Sequence, residues 1–247
     1  MLNIIIGNWK QNPQKLSDAK KIAVDTRKLT AKLSTEIVLC PPFPFLSTVT
    51  PQKRFALGAQ DVSFEKEGAH TGEVSAKQLK SVGVSYVIIG HSERRAMGES
   101  SETIAKKANG ALKAGMSPVI CIGEKERHHD GAHWQTIGQE IHASLAGITR
   151  TDVKKVIIAY EPIWAIGGKS LGAMKTEDIA ESMIFIRKVL AEIYGSKAAH
   201  GVRIIYGGSV DHKNAAEIAK EGGVSGFLVG RQSLKPKDFA KIAEALQ

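Results

Sequence analysis

The chain has 247 residues, 43% of them hydrophobic, and a formal net charge of +9 at pH 7. This composition is that of a globular protein, and the length suits a single α/β barrel. No apolar run approaches the roughly 20 residues that a membrane-spanning helix needs, which excludes such a helix.

The start of the chain and its two cysteines indicate a compartment. Residues 1–6 lead directly into a strand-like run without a basic segment or a cleavage site, which predicts a cytoplasmic protein. Cys40 and Cys121 lie in or at the end of apolar runs, and neither belongs to a CxxC motif. We therefore expect buried free thiols in a reducing compartment rather than a disulfide.

The surplus of positive charge first suggests nucleic acid as a partner. However, the lysines are scattered over helical patterns, only four tyrosines and three tryptophans could stack on bases, and no nucleic-acid motif is present. We expect a solvated basic surface that steers a small anionic substrate, with no nucleic-acid or membrane partner. The scattered lysines include Lys15, Lys20, Lys21, Lys28 and Lys32.

Apolar runs rich in β-branched residues alternate with helical patterns along the whole chain. Because most of the runs are nearly continuous, both faces of each strand should be covered. Eight strand–helix units predict an α/β fold, a single (β/α)8 barrel domain over residues 1–247, rather than an open doubly wound sheet. No Gly-x-Gly-x-x-Gly follows the first strand, which disfavours dinucleotide binding. The predicted strands are Asn3–Gly7, Glu36–Cys40, Phe55–Gln60, Tyr86–Gly90, Pro118–Ile122, Val156–Tyr160, Arg203–Tyr206 and Phe227–Gly230.

Several helix ends can also be predicted from capping residues. Asn12 and Pro13 form a cap and first-turn pair before the first helical pattern. Thr176 is a predicted N-cap for a long helix that Gly195 stops. Pro236 is expected to open the last helix.

The most informative segment is Ala159–Lys169, which reads AYEPIWAIGGK. Glu161 follows a buried strand and precedes a proline. The residues after it form a loop with a bulky stem and a glycine-rich tip, which could close over a site as a lid. A carboxylate at a strand end beneath such a lid is a candidate proton-abstracting base in a site that excludes water.

Polar residues at two other strand ends extend this candidate site, because such barrels hold their active sites at the C-terminal ends of the strands. Lys10 after the first strand is either a surface residue or a fixed positive charge for an anionic substrate, and Asn8 would be a neutral donor. His91 ends the fourth strand at a helix-prone turn whose amides favour a neutral ring. Such a ring can donate a hydrogen bond to a carbonyl that becomes an enediolate. Glu93 is close enough to orient Lys10 or to move a proton.

Arg94 and Arg95, which follow in the same turn, are interpreted as members of structural ion pairs. Glycines recur in Tyr206–Val210 and Leu228–Ser233, after the seventh and eighth strands. Backbone amides can approach a ligand closely at glycines, and these two loops are where such barrels hold phosphate. The two segments together predict a phosphate cradle, to which Gly167 of the lid could add an amide.

These segments resemble the triosephosphate isomerase family, and the resemblance covers essentially the whole chain in the family's order. The matching blocks are Gly7–Lys10, Gly58–Asp61, Ala69–Glu73, Gly90–Arg95, Cys121–Glu124, Tyr160–Gly167, Tyr206–Val210 and Gly226–Gly230.

The resemblance implies a TIM barrel that interconverts dihydroxyacetone phosphate and glyceraldehyde 3-phosphate in the cytoplasm, without a cofactor or a metal. The implied base is Glu161, the neutral electrophile is His91, and Lys10 stabilises negative charge, a division of roles that comes with the family. Asn8 assists the oxyanion, and Glu93 belongs to the catalytic surroundings. The implied substrate contacts are Asn8, Lys10, Gly167, Ser209, Gly230 and Arg231.

The resemblance also implies a homodimer. A loop after the third strand, roughly Asp61–Glu73, would enter the neighbouring site, with Thr71 near Asn8 and His91 of the partner subunit. This loop is too long for a simple strand-to-helix connection, which is consistent with burial in a partner.

The chain departs from the family pattern at two places. The lid is one residue shorter beside Gly168, and the segment Leu171–Lys175 is lengthened. Arg231 takes the place of the family's usual second glycine, and its backbone amide can still serve if arginine can adopt the required backbone conformation.

Two other functions are weighed against the isomerase. Another phosphate-binding barrel enzyme would keep the glycine cradles without needing both His91 and Glu161. A non-catalytic barrel that serves as a binding protein would be expected to lose Glu161 or Lys10. A histidine group after the fifth strand could suggest zinc, but no fourth ligand stands out, so surface histidines are the preferred interpretation. These histidines are His128, His129 and His133.

Overall fold

The computed structural model describes residues 2–128, 130–165 and 174–247. These residues form a closed barrel of parallel strands, in which each strand pairs with the next along the chain and the last pairs with the first. The predicted (β/α)8 architecture is therefore confirmed. The strands are β1 (Ile4–Asn8), β2 (Glu36–Cys40), β3 (Phe55–Ala59), β4 (Val84–Ile89), β5 (Ser117–Ile122), β6 (Ile157–Tyr160), β7 (Arg203–Tyr206) and β8 (Gly226–Val229).

The strands are buried on both faces, which is why their sequences are continuously apolar. Ile4 and Ile6 belong to the cluster that fills the barrel, together with residues such as Ile88 and Val119. Ile5, between them, belongs to the larger cluster that joins the strands to the helices. This alternation follows from the two-residue period of a strand, and every predicted strand end lies within two residues of the observed one.

Helices surround the barrel and return the chain to the start of the next strand. After β2 this connection is a 3-10 helix, Phe43–Thr48, rather than an α-helix. Among the described residues, no helix combines the length and apolar character needed to cross a membrane. The α-helices are α1 (Leu16–Thr30), α2 (Ala76–Ser81), α3 (Ser92–Ala96), α4 (Ser101–Lys113), α5 (Ala132–Ser144), α6 (Thr176–Tyr194), α7 (Ser196–His200), α8 (Ala215–Glu221) and α9 (Pro236–Glu244).

Two of the predicted helix starts are wrong. Helix α1 begins at Leu16, and Asn12 instead lies in the preceding loop, where it lines the cavity at the strand ends. Thr176 is the first residue of α6 rather than its cap, because its hydroxyl donates to the Glu217 carboxylate of α8 at 2.6 Å. The end of α6 at Gly195 and the start of α9 at Pro236 are confirmed.

The two cysteines are buried and free, as expected from their apolar surroundings. Burial raises the pKa of the Cys40 thiol. The pKa of Cys121 is also raised, first by burial and then by the nearby Glu161 carboxylate. Both thiols are therefore held in the neutral form.

The barrel closure gives a testable requirement for glycine at position 226. Gly226 has φ +152°, and a Cβ there would lie 1.8 Å from the Ile4 carbonyl oxygen. We expect Gly226→Ala to lower the free energy of unfolding by about 3 kcal/mol or more, because both the backbone and the β1–β8 contact would be strained. Urea denaturation would measure the change.

Gly110→Ala is the matched control, since Gly110 lies within α4 and nothing would come within 4 Å of its Cβ. There the same substitution should stabilise the protein by about 0.5–1 kcal/mol through helix propensity. Equal effects of the two substitutions would show that the close approach at Gly226 is unimportant for closure.

Candidate active site

The first part of the site is the turn that follows β1. Asn8 is the last residue of this strand and is 5% exposed. Lys10 has φ +52°, a left-handed conformation that side-chain-bearing residues rarely adopt. Its N–H donates to the Asn8 side-chain oxygen at 3.0 Å, and its carbonyl accepts from Gln60 Nε2 at 2.8 Å. The strained turn is thus held from both sides.

The Lys10 side chain reaches from this turn towards α3. Its Nζ lies 2.7 Å from Glu93 Oε1, which confirms that Glu93 is close enough to orient it. The pair is only partly shielded, since the two side chains are 33% and 59% exposed. Lys10 also passes Gly230, where a Cβ would lie 3.6 Å from Lys10 Cε. The lysine therefore connects the turn after β1 with the loop after β8.

His91 lies between the end of β4 and the start of α3, and it is 6% exposed. The Glu93 backbone N–H donates to its Nδ1 at 3.2 Å. A ring nitrogen that accepts a hydrogen bond carries no proton, so a neutral His91 holds its proton on Nε2. That nitrogen lies 3.3 Å from Glu161 Oε1.

Glu161 directly follows β6 and is 3% exposed. Its backbone N–H donates to the Ile122 carbonyl at 2.8 Å, and its Oε2 accepts the Ser92 N–H at 3.3 Å. Gly207 leaves room for the carboxylate, because a Cβ there would lie 2.8 Å from Glu161 Cγ. The acid from β6 and the imidazole from β4 are thus brought into contact, 70 positions apart in the chain.

The stem of the predicted lid is anchored to a buried carboxylate. Residues Ile163–Ala165 form a 3-10 turn. The Trp164 indole N–H and the Tyr160 hydroxyl each donate to Glu124 Oε1 at 2.9 Å. The predicted tip lies outside the described residues, including Gly167, Gly168 and most of the segment Leu171–Lys175.

Most of the predicted site residues surround one cavity of about 400 Å³ at the C-terminal ends of the strands, but Glu93 does not line it. Lys10 and Arg231 bring positive charge to its wall, and Glu161 and Asp211 bring negative charge. Asp211 is occupied in its own loop, where its carboxylate accepts the Lys213 N–H at 2.7 Å. The predicted residues in the lining are Asn8, Lys10, His91, Glu161, Ser209, Gly230 and Arg231.

Thr71 does not line this cavity. It lies in an exposed part of the loop after β3, in which residues 66–73 are all exposed in the single chain. The contact expected for Thr71 is with a partner subunit, so the single chain does not test it.

The histidine group after β5 differs from the prediction. His128 is exposed, but His133 is 4% exposed, with its ring centroid 4.3 Å from that of Trp134. The prediction of a surface residue is therefore wrong for His133. His129 lies outside the described residues, and the residues that are described contain no group of three or more His, Cys, Asp or Glu side chains that could hold a metal ion.

Sequence reasoning missed two contacts of this site. Gln60 supports the Lys10 carbonyl, and a glutamine after a strand gives no distinctive signal by itself. Arg95 forms the predicted ion pair, with Glu140 at 3.9 Å. Its bonds to the Gly90 and Cys121 carbonyls behind the site were not predicted.

A larger groove of about 780 Å³ lies on the outside of the barrel, along α4. Its lining is mostly alanines and lysines, and it contains neither His91 nor Glu161. The smaller cavity is therefore the one in which an acid, a base and a cation converge.

The comparisons with known proteins agree with this geometry. The family model for triosephosphate isomerase matches residues 3–246. The triosephosphate isomerase of Thermoanaerobacter sp. (strain X514) is 41% identical over 245 residues, which cover 97% of each chain. That of Corynebacterium diphtheriae is 41% identical over 251 residues, covering 97% of this chain and 95% of the relative. That of Idiomarina loihiensis is 37% identical over 251 residues, covering 99% and 98%. The chain belongs to the triosephosphate isomerase family.

Proposed function

We propose that this chain interconverts dihydroxyacetone phosphate and D-glyceraldehyde 3-phosphate through an enediolate. The observation that carries this proposal is the contact between His91 Nε2 and Glu161 Oε1, 3.3 Å apart at the wall of the cavity. A carboxylate and a hydrogen-bond donor side by side suit the transfer of a proton between neighbouring carbons. A coupled assay for glyceraldehyde 3-phosphate tests the activity directly.

In the proposed reaction Glu161 takes a proton from C1 of dihydroxyacetone phosphate. The electron pair of the broken C–H bond forms the C1–C2 double bond, and the carbonyl oxygen on C2 becomes the enediolate oxygen. His91 stabilises that oxygen with its Nε2 proton, because its Nδ1 is occupied by the Glu93 N–H. The hydroxyl proton on O1 must also reach O2: His91 gives its Nε2 proton to O2 and takes the O1 proton in its place, which moves the negative charge to O1. Glu161 then returns its proton to C2, where the electron pair of the C1–C2 double bond forms the new C–H bond, and the charge on O1 becomes the carbonyl bond of the C1 aldehyde.

Lys10 and Asn8 are proposed to stabilise the negative charge of the bound substrate. The Lys10 ammonium is attached to a turn that its neighbours hold, so little reorganisation is needed as charge develops. Its ion pair with Glu93 is half exposed and therefore weak, so that a phosphorylated ligand can replace it. Glu93 then acts by orienting the lysine in the substrate-free protein.

The phosphate group is proposed to bind in the loops after β7 and β8. Ser209 and Gly230 line the cavity there, and Arg231 follows as the first residue of a 3-10 turn. Among the described residues other than glycine, a positive φ occurs at Lys10 and Arg54 and not at Arg231. Arginine at this position therefore leaves the backbone unstrained, and the proposed contact through its amide is retained. A contribution from Gly167 also remains part of the proposal.

The alternatives account for less of the site. Another phosphate-binding barrel enzyme would explain the loops after β7 and β8 but not the contact between His91 and Glu161. A non-catalytic binding protein would explain neither that contact nor the strained Lys10 turn. The proposed chemistry uses side chains of the chain alone, without a cofactor or a metal.

We further propose a cytoplasmic homodimer. The free buried thiols suit a reducing compartment. Residues 66–73 and Phe64 are exposed in the single chain, and a second copy would bury them in a dimer interface.

Glu161→Asp should lower kcat by about 10²-fold or more while the protein stays folded. Retracting the carboxylate by one methylene moves the base by about 1 Å, and proton transfer depends steeply on placement. Steady-state kinetics with the coupled assay and a thermal melt would measure the two effects. Glu192→Asp, on the exposed side of α6, is the control and should leave kcat unchanged. A kcat for Glu161→Asp equal to that of the unaltered protein would remove Glu161 from the role of base.

Lys10→Met should nearly abolish turnover and weaken the binding of phosphorylated inhibitors. Two unit charges 4 Å apart interact by about 4 kcal/mol at an effective dielectric constant of about 20, which corresponds to about 10³-fold in kcat/KM. Tm should change little, because Glu93 stays solvated when its partner is removed. Lys15→Met, at an exposed lysine of the following loop, is the control. Full activity combined with a lower Tm would make Lys10 a structural residue.

Sedimentation at micromolar concentration should give at least twice the 26.6 kDa mass of the chain. Thr71→Asp should shift the protein towards the single-chain mass, since it places a charge in the proposed interface. Thr136→Asp, at an exposed threonine on α5, should leave the mass unchanged. A fully active single chain at this concentration would contradict the dimer.

A further inference from the structure

A buried guanidinium lies directly behind the catalytic side of the cavity. Arg95 belongs to α3, and its side chain is 14% exposed. Its Nε donates to the Gly90 carbonyl at 3.0 Å, and one Nη2 bond reaches the Cys121 carbonyl at 3.1 Å. Further bonds reach the Ser101 and Ser144 hydroxyls at 3.0 and 3.1 Å. The guanidinium N–H groups therefore donate to protein acceptors rather than to solvent.

The two carbonyls belong to backbone that carries or supports the two proposed catalytic side chains. Gly90 immediately precedes His91 at the end of β4. Cys121 immediately precedes Ile122, whose carbonyl accepts the Glu161 N–H at 2.8 Å. Arg95 thus joins the end of β4, from which His91 departs, to the end of β5, which holds the backbone of Glu161 after β6.

Glu140 of α5 completes this arrangement from the other side. Its Oε2 accepts the Gly123 N–H at 3.0 Å, and its Oε1 lies 3.9 Å from Arg95 Nη1. Gly123 packs so closely on the backbone of Glu161 that a Cβ would lie 1.9 Å from the Glu161 carbonyl oxygen. A shift of Gly123 would therefore be passed on to Glu161.

The charges of this pair support each other. Burial raises the pKa of Glu140, while Arg95 and the Gly123 N–H oppose that rise by favouring the carboxylate. Without Arg95, the partly buried Glu140 carboxylate would lose the arginine that pairs with it, and the Gly90 and Cys121 carbonyls would lose a donor. The end of the barrel behind the site would then be free to rearrange.

We propose that Arg95 and Glu140 are positioning residues that hold His91 and Glu161 within reach of the substrate. Neither residue lines the cavity, so neither touches the reacting atoms. Their role rests on the proposed isomerase function, because it consists of keeping the distance between the acid and the imidazole.

Two substitutions test this role: Arg95→Lys, and Glu140→Ala compared with the conservative Glu140→Gln. Lysine carries the charge but can reach only part of the four partners, so kcat should fall by about 10²-fold while KM stays within about threefold. Glu140→Ala removes the acceptor of the Gly123 N–H and should lower kcat similarly. Glu140→Gln keeps an acceptor of the same shape and should restore most of the activity.

Arg94→Lys is the matched control on the same helix. Arg94 pairs with Asp61 at 2.9 Å and is 42% exposed, so its substitution should leave kcat nearly unchanged. The ¹⁵N resonances of the His91 ring in the substrate-free protein supply a readout that is independent of turnover. They should shift in Arg95→Lys but not in Arg94→Lys.

These measurements separate failure of the positioning role from failure of the isomerase function. Arg95→Lys and Glu140→Ala could lower Tm while kcat and the His91 resonances stay unchanged. In that case both residues would stabilise the fold only, and the proposal would be overturned. An unaltered protein that does not isomerise triose phosphates would refute the function, whereas the His91 resonances would still report on the positioning.

Discussion

Closure of the barrel between β1 and β8 is the constraint on which the site depends. Ile4 pairs with Gly226 across this seam, and the Ile4 N–H donates to the Ser225 carbonyl at 3.1 Å. Once the seam is closed, all the parallel strands end on one rim. Side chains that are far apart in sequence, such as Asn8, His91 and Glu161, then meet around one cavity.

The strands and most of the site could be predicted because each depends on a local pattern. A strand that is covered on both faces must be continuously apolar, so Val84–Ile89 and Ile157–Tyr160 stand out from the polar segments beside them. A polar residue directly after such a strand can lie only at the rim of the barrel. His91 and Glu161 follow this rule, and the family resemblance then supplied what neither residue type shows alone, their division of roles.

The remaining features depend on tertiary contacts, which a local sequence pattern does not indicate. Thr176 has the right identity for a cap, but a carboxylate from α8 takes its hydroxyl instead. His133 has a polar side chain, but the neighbouring Trp134 and the helix face on which it lies bury it. Arg95 pairs with an acid as expected, but the sequence does not indicate its hydrogen bonds to carbonyls and hydroxyls at the ends of β4 and β5 and on two helices. Long side chains reach partners that their sequence neighbours do not identify.

The candidate site combines a rigid frame with a carboxylate whose side-chain contacts are long. Lys10 keeps a left-handed backbone that costs about 1–3 kcal/mol, and the bonds from Asn8 and Gln60 hold it there. The Glu161 carboxylate, in contrast, lies 3.3 Å from both the Ser92 N–H and His91 Nε2 among the residues that the structure describes. Bonds of this length are easily exchanged for contacts with a substrate. The strain is therefore stored in the turn that carries the Lys10 charge, whereas the carboxylate of the proposed base, Glu161, has contacts that a substrate could replace.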